Sequence, residues 1–174
     1  MTVVHQHPQV ESVRELLVEE LGRLLTVEET LARLVLPKLA LEVQDDELKK
    51  LVQQHLEETR GHAGRIKEPF LALGEPPAGK PALGLDGLRS EHEATAPKVH
   101  PAFRGGVHCA AAMGTEHYEI NAYEAAIRLA DALGAEEGGG LLRANLEEEV
   151  AALGKLGEQA DRLAQLAVDE PTAL

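Results

Sequence analysis

The sequence predicts an all-α fold: an antiparallel four-helix bundle with one long crossover and a short extra helix. Three observations lead there. β-Branched runs are short, and the only aromatics are two Phe and two Tyr, with no Trp, so no segment carries a strand pattern. Four long segments repeat apolar residues every three or four positions, the period of a helix with one buried face. Tight turns join them in two pairs, and a long Gly/Pro-rich stretch joins the pairs.

The first helix is expected from about Glu11 to Val43, with Pro37 kinking it or splitting off its end. Asp45 and Asp46 are good N-caps for a second helix, which runs to Leu73 and stops at Gly74. The stretch GEPPAGKPALGLDG is a connection, followed by a short helix near Leu85–Ala94. Pro97 and Pro101 punctuate the chain before a third helix, which ends at Leu133 with Gly134 as its C-cap. A fourth runs from about Ala135 to Ala167, its start blurred by Gly138, Gly139 and Gly140. A length of 174 residues suits one domain. The bundle is expected over 11–168, between a disordered tail at 1–10, which contains His5 and His7, and a short tail at 169–174.

Lys and Arg total 17 against 30 Asp and Glu, a formal net charge of −13. Nucleic acid and anionic membrane surfaces both demand clustered positive charge, so neither is an expected partner. No stretch approaches the ~20 apolar residues of a membrane span, and the N-terminus lacks a signal-peptide core. A cytoplasmic location is the expectation. Cys109 is the only cysteine, which excludes an intramolecular disulfide and a Cys-based zinc site. With two serines in the chain, serine-nucleophile chemistry is a poor prospect.

Each long helix places acids where its apolar stripe needs burial. In MGTEHYEINAYEAAIRLADALG the stripe runs back from Leu133 through Ala130, Ile127, Tyr123 and Ile120 to Glu119 and Glu116. In the second helix it passes through Leu48, Leu51 or Val52, His55, Glu58 or Thr59, and His62 before Ile66 and Phe70. In the fourth, Glu149 follows Leu142 and Leu146. In the first, Glu28 and Glu29 follow Leu24 and Leu25, and periodicity does not choose between them. Glu29 and Glu58 lie symmetrically about the first turn, and Glu119 and Glu149 about Gly134. All are about 15 residues from their turns, roughly 22 Å along a helix at 1.5 Å per residue. The acids are therefore level, near mid-bundle. Ionised carboxylates crowded in a core repel one another and lose hydration. A pair of divalent cations removes both costs, and oxygen ligands with imidazole suit iron or manganese. A solvated acidic waist, or protonated hydrogen-bonded acids, are the other readings. His117 falls on a different face and reads as a surface residue, and Tyr123 as core packing.

The segments VLPKLA, HLEETRGH, PFLALGEPPAGK, GLDGL, EHYEINAY, ADALG and LLRANLEEE, in this order, resemble the YciE/YciF family of ferritin-like bacterial proteins. The resemblance implies a ferritin-like bundle, commonly dimeric and linked to stress responses, with a dinuclear metal site. Carried over residue by residue, it implies Glu29, His55, Glu58, Glu116, Glu119 and Glu149 as ligands of two iron or manganese ions. Glu29 is favoured as the acid eight positions before Pro37-Lys38, and Glu149 is favoured over Glu148 as the inward acid. The second helix reads His-x-x-Glu where ferritin-like sites commonly read Glu-x-x-His, and Leu153 stands where the family often has Asp. Two functions follow as expectations: a di-metal oxidoreductase acting on oxygen or peroxide, or a non-enzymatic dimeric stress or scaffold protein with metal structural or absent. Leu16, Leu17, Val18 and Leu21 cover more than one helical stripe, which adds to the expectation of a homodimer.

Overall fold

The structure is a computed structural model that describes residues 9–169, so His5, His7 and most of both expected tails lie outside the described residues. Helix α1 spans Val13–Thr30, α2 Leu36–Glu42, α3 Asp46–Ala72, α4 Leu83–Thr95, α5 Arg104–Ala132 and α6 Glu136–Asp169. Among the described residues there is no strand. α1 packs on α3 and α5, α6 packs on the same two, and α4 lies against α5. The all-α bundle with a long crossover and a short extra helix is therefore what forms.

Local chemistry sets the helix ends. Ser12 caps α1 by accepting from the Glu15 backbone N–H at 3.1 Å. Asp45 caps α3 by accepting from Glu47 and Leu48 at 3.1 and 2.9 Å. Gly74 and Gly134 have φ of 73° and 67°. The residues after them, Glu75 and Ala135, reach back to the Phe70 and Ala130 carbonyls, the closing bonds of Schellman caps. Only glycine takes that left-handed position without steric cost.

The first helix departs from a single regular rod. Between α1 and α2, residues Leu31–Val35 form a π turn, with the Leu36 N–H bonded to the Leu31 carbonyl. Pro37 lies in the first turn of α2 and has no N–H for the Arg33 carbonyl. The chain stays helical by admitting one extra residue, the end beyond it is set off as α2, as Pro37 predicts, and everything beyond Thr30 is rotated relative to a plain α-helix.

The crossover is pinned where it passes α1. The Lys80 N–H donates to the Gly22 carbonyl at 2.9 Å. A Cβ at Gly22 would stand 2.9 Å from the Ala78 carbonyl oxygen and 2.4 Å from Lys80 Cγ. Gly22→Ala is therefore expected to destabilise. Overpacking of about 1–3 kcal/mol outweighs a helix-propensity gain of ~1 kcal/mol. Thermal melting checks this, and a higher melting temperature would contradict the close approach.

Two apolar clusters fill the bundle. One contains Leu17, Leu21, Leu24, Ile66, Phe70, Ile127 and Leu142. The other contains Leu31, Leu36, Leu39, Leu48, Val52, Cys109 and Leu156. Between them lies a belt of buried polar side chains.

Candidate metal centre

The belt is built from four helices. α1 supplies Glu28, α3 His55 and His62, α5 Glu116 and Glu119, and α6 Glu149. All are at most 5% exposed. Five of them fall into two groups, Glu28 with His62 and Glu149, and His55 with Glu116 and Glu149, while Glu119 stands in neither. Within each group the donor atoms lie within 4.8 Å of one another. Glu149 belongs to both. Its Oε1 is 2.6 Å from His62 Nδ1, and its Oε2 is 3.7 Å from His55 Nε2. Glu116 Oε1 is 3.2 Å from His55 Nε2, and Glu28 Oε2 is 3.4 Å from His62 Nδ1.

A further shell holds the imidazoles from behind. His62 Nε2 meets Glu148 Oε2 at 2.8 Å, and Arg65 donates to both Glu148 oxygens at 3.0 and 2.6 Å. Burial pushes the Glu148 carboxyl up, but the Arg65 and His62 hydrogen bonds hold it below the usual carboxylate range. His55 repeats the plan, with Nδ1 3.5 Å from Glu58 Oε2. Each imidazole thus turns one nitrogen to the belt and the other to an outer carboxylate, the arrangement that orients metal-binding histidines. Tyr123 donates to Glu28 Oε1 and accepts from Asn145 Nδ2.

The structure places some expected residues differently. Glu28 faces the belt and Glu29 does not. Glu29 is half-buried, 3.5 Å from Arg33 and 3.4 Å from Lys67. The count of eight back from Pro37 fixes a position in the sequence and not a face of α1. Glu28 instead continues the α1 stripe of Leu17, Leu21 and Leu24. Glu58 sits behind His55, outside both donor groups. His55, Glu116, Glu119 and Glu149 converge in the belt, with His62, seven residues from His55 on the same face of α3. Nothing in the α6 pattern singled out Asn145. His117 is exposed.

The electrostatics of the belt are those of a site built for positive charge. Both oxygens of Glu119 and Oε2 of Glu116 have no hydrogen-bond partner, and Glu149 and Glu28 Oε2 face the imidazole nitrogens of the belt. Buried polar atoms ordinarily find partners. Unpartnered acids set among other acids fit ligation by cations better than core packing. Burial, with the charges of Glu149, Glu28 and Glu116, raises the Glu119 carboxyl well above its ordinary range. Burial also lifts Glu149 to about 7, against the opposing pull of His62. Burial disfavours charge on the imidazoles, yet Glu116 brings His55 up to about 9, and Glu149 with Glu28 brings His62 up to about 10. Without metal, the two imidazolium ions stand in for cations.

The comparisons agree with this fold. The chain is 29% identical over 153 residues to protein YciF of Escherichia coli strain K12, covering 87% of this chain and 92% of that one. The crystal structure of that E. coli stress protein aligns with a TM-score of 0.83 at 28% identity, over 90% of this chain and 99% of the other. YcfI of Rhodopseudomonas palustris, for which a structural role has been suggested, aligns at 0.82 and 31% identity over 86% and 95%. A Xanthomonas campestris protein shares the fold at 0.71 and 19% identity, over 91% and 97%. The profile of the domain of unknown function DUF892 matches residues 12–169, and the chain belongs to that family, the family of the YciF-like proteins.

Proposed function

We propose that the belt holds two iron or manganese ions and that the protein is a di-metal oxidoreductase of the stress response. The observation that carries this is the convergence of six buried Glu and His side chains, with both oxygens of Glu119 and one of Glu116 left without partners. Glu28, His62 and Glu149 would hold one ion, and His55, Glu116 and Glu149 the other. Glu119 would add charge between them. Iron or manganese there would supply one-electron chemistry toward oxygen or peroxide. The chain's own part is positional. Glu148 and Glu58 orient the imidazoles, Asn145 and Tyr123 orient Glu28, and the two apolar clusters exclude water. The Tyr123 phenol is raised well above its usual range by burial and by Glu28, so it stays protonated as a donor.

Elemental analysis of protein purified without added metal should give about two transition metals per chain. Metal at 100 times its Kd adds ~2.7 kcal/mol of stability, a rise of roughly 5–10 °C in melting temperature for a chain of this size. Chelator should reverse it. Binding must also displace protons from His55 and His62, so affinity should rise with pH until about 9–10. Calorimetry in buffers of different ionisation enthalpy reads that release. A melting temperature indifferent to metal and chelator would sink the proposal.

One observation favours the non-enzymatic alternative. Imidazolium–carboxylate pairing already offsets part of the belt's charge without metal. Metal content after reconstitution separates the two.

A homodimer is also proposed. Leu17 and Leu21 turn into the chain's own core, so the apolar surplus on α1 is smaller than the sequence indicated, and Val13 and Leu16 are the part left exposed. Light scattering should give twice the 18.7 kDa of one chain, and a monomer mass at micromolar concentration would refute it.

A further inference from the structure

A cavity of about 260 Å³ opens beside the belt, between the π turn, α2, α4 and α5. Leu31, Leu36, Leu39, Leu88 and Ala112 wall it, and its floor is formed by His55 and Glu116. Glu116 is 2% exposed, lines the cavity, and sets its Oε1 3.2 Å from His55 Nε2. At the rim, Lys38 is 3.2 Å from Glu93 and 3.9 Å from Glu42. His92 and His108 join at 2.9 Å. The lining cations Lys38 and Arg89 therefore have acids of their own, Arg89 lying 3.6 Å from Asp86, and Glu116 is the lining acid without such a cation.

These features define an occupant. The apolar walls disfavour ions and sugars, because any polar group set against them loses hydration without return. Glu116, the one acid of the belt that lines the cavity, offers its carboxylate as a hydrogen-bond acceptor. At ~30 Å³ each, the volume of about nine waters is available. The π turn and Pro37 shape one wall by rotating Leu36 and Leu39 away from the register of α1, which turns a place for core packing into a chamber.

We infer that this cavity binds a compact apolar molecule, aromatic or short-chain aliphatic, whose single O–H or N–H donor points at Glu116. As a statement about the substrate of the metal pair it rests on the proposed function. As a statement about binding it stands without metal.

Indole is a suitable probe, matching the size and carrying one N–H donor. The chain has no tryptophan, so indole is the only fluorophore excited at the red edge of the band. Metal-free protein should bind one indole per chain, saturably and with blue-shifted emission, and hexanol should displace it. Ala112→Phe, which fills the chamber, should weaken binding at least tenfold. Ala111→Leu, on the same wall, provides a second filled variant should the first not fold. Manganese held at His55 and Glu116 should quench the bound indole. Absence of saturable binding, or parent-like binding in the filled variants, overturns the inference. Bound manganese that leaves indole emission unchanged overturns it too, because the chamber would then not adjoin the belt. Indole binding sensitive to Ala112→Phe in a protein that takes up no manganese upholds the chamber and sinks the proposed function instead.

Discussion

Glu149→Gln is expected to remove both metal ions at once, lowering affinity more than about 100-fold at each position. Glu149 is the one side chain shared by the two donor groups, with Oε1 turned to His62 and Oε2 to His55. An amide keeps the volume and loses the charge and one of the two oxygens. Loss of an outer partner of a metal-binding histidine typically costs 10–100-fold in affinity, and loss of a shared ligand should exceed it. Glu148→Gln and Glu58→Gln should fall in that lower range, since these acids touch the far nitrogens of His62 and His55. Glu28→Gln should weaken one ion more than the other. Glu29→Gln should bind metal as the parent does, because Glu29 faces Arg33 and Lys67. Metal titrations of these five variants rank the belt from centre to edge. Equal loss in Glu29→Gln and Glu28→Gln would mean that α1 turns when metal binds.

That ranking also separates what the sequence could reveal from what it could not. Apolar periodicity and turn chemistry were enough for the bundle, because helix burial depends on spacing and helix ends on caps such as Asp45, Gly74 and Gly134. The level of the acids was legible because helix rise is constant and both hairpin turns are short. The phase of α1 was not. Leu24 and Leu25 lie four residues before Glu28 and Glu29, so the stripe admits either acid until His62 of α3 is placed opposite Glu28. No local pattern marks a π turn beyond the presence of Pro37. The partners behind the ligands were also hidden. Glu148 and Asn145 reach His62 and Tyr123 across 86 and 22 residues of sequence, contacts set by helix pairing and not by any motif. His62 was visible as a stripe residue, but its membership of the site depends on which acids face it from α1 and α6.

Glu119→Gln is expected to stabilise the metal-free protein and destabilise the metal-loaded one. Glu119 is fully buried, and both its oxygens lack hydrogen-bond partners. Burial comes first among the causes that raise its carboxyl, then the charges of Glu149, Glu28 and Glu116. In the unfolded chain it ionises near its ordinary value of 4.5. Below that pH both states hold the proton and the group contributes nothing to the pH dependence. Above it the unfolded state releases the proton freely while the folded state resists, so the folded state loses stability as pH rises toward the elevated folded value. Each pH unit across that window is worth ~1.4 kcal/mol. Gln carries no such penalty, and its amide can donate to the neighbouring carboxylates. Metal-free Glu119→Gln should therefore come closest to the parent below pH 4.5 and exceed it at pH 7.5 by about 1–3 kcal/mol. That is a shift of ~2–4 °C per kcal/mol in a chain of this size. Metal reverses the order, because the ions need the charge that Gln lacks and stabilise only the state that holds them. Glu124→Gln is the control on the same helix. Glu124 is paired with Arg128 at 2.7 Å, away from the belt, and its loss should leave both melting curves within about 0.5 kcal/mol of the parent. If metal-free Glu119→Gln melts below the parent at pH 7.5 and its metal content is unchanged, Glu119 is a core acid held by protonation, and the dinuclear reading loses its central charge.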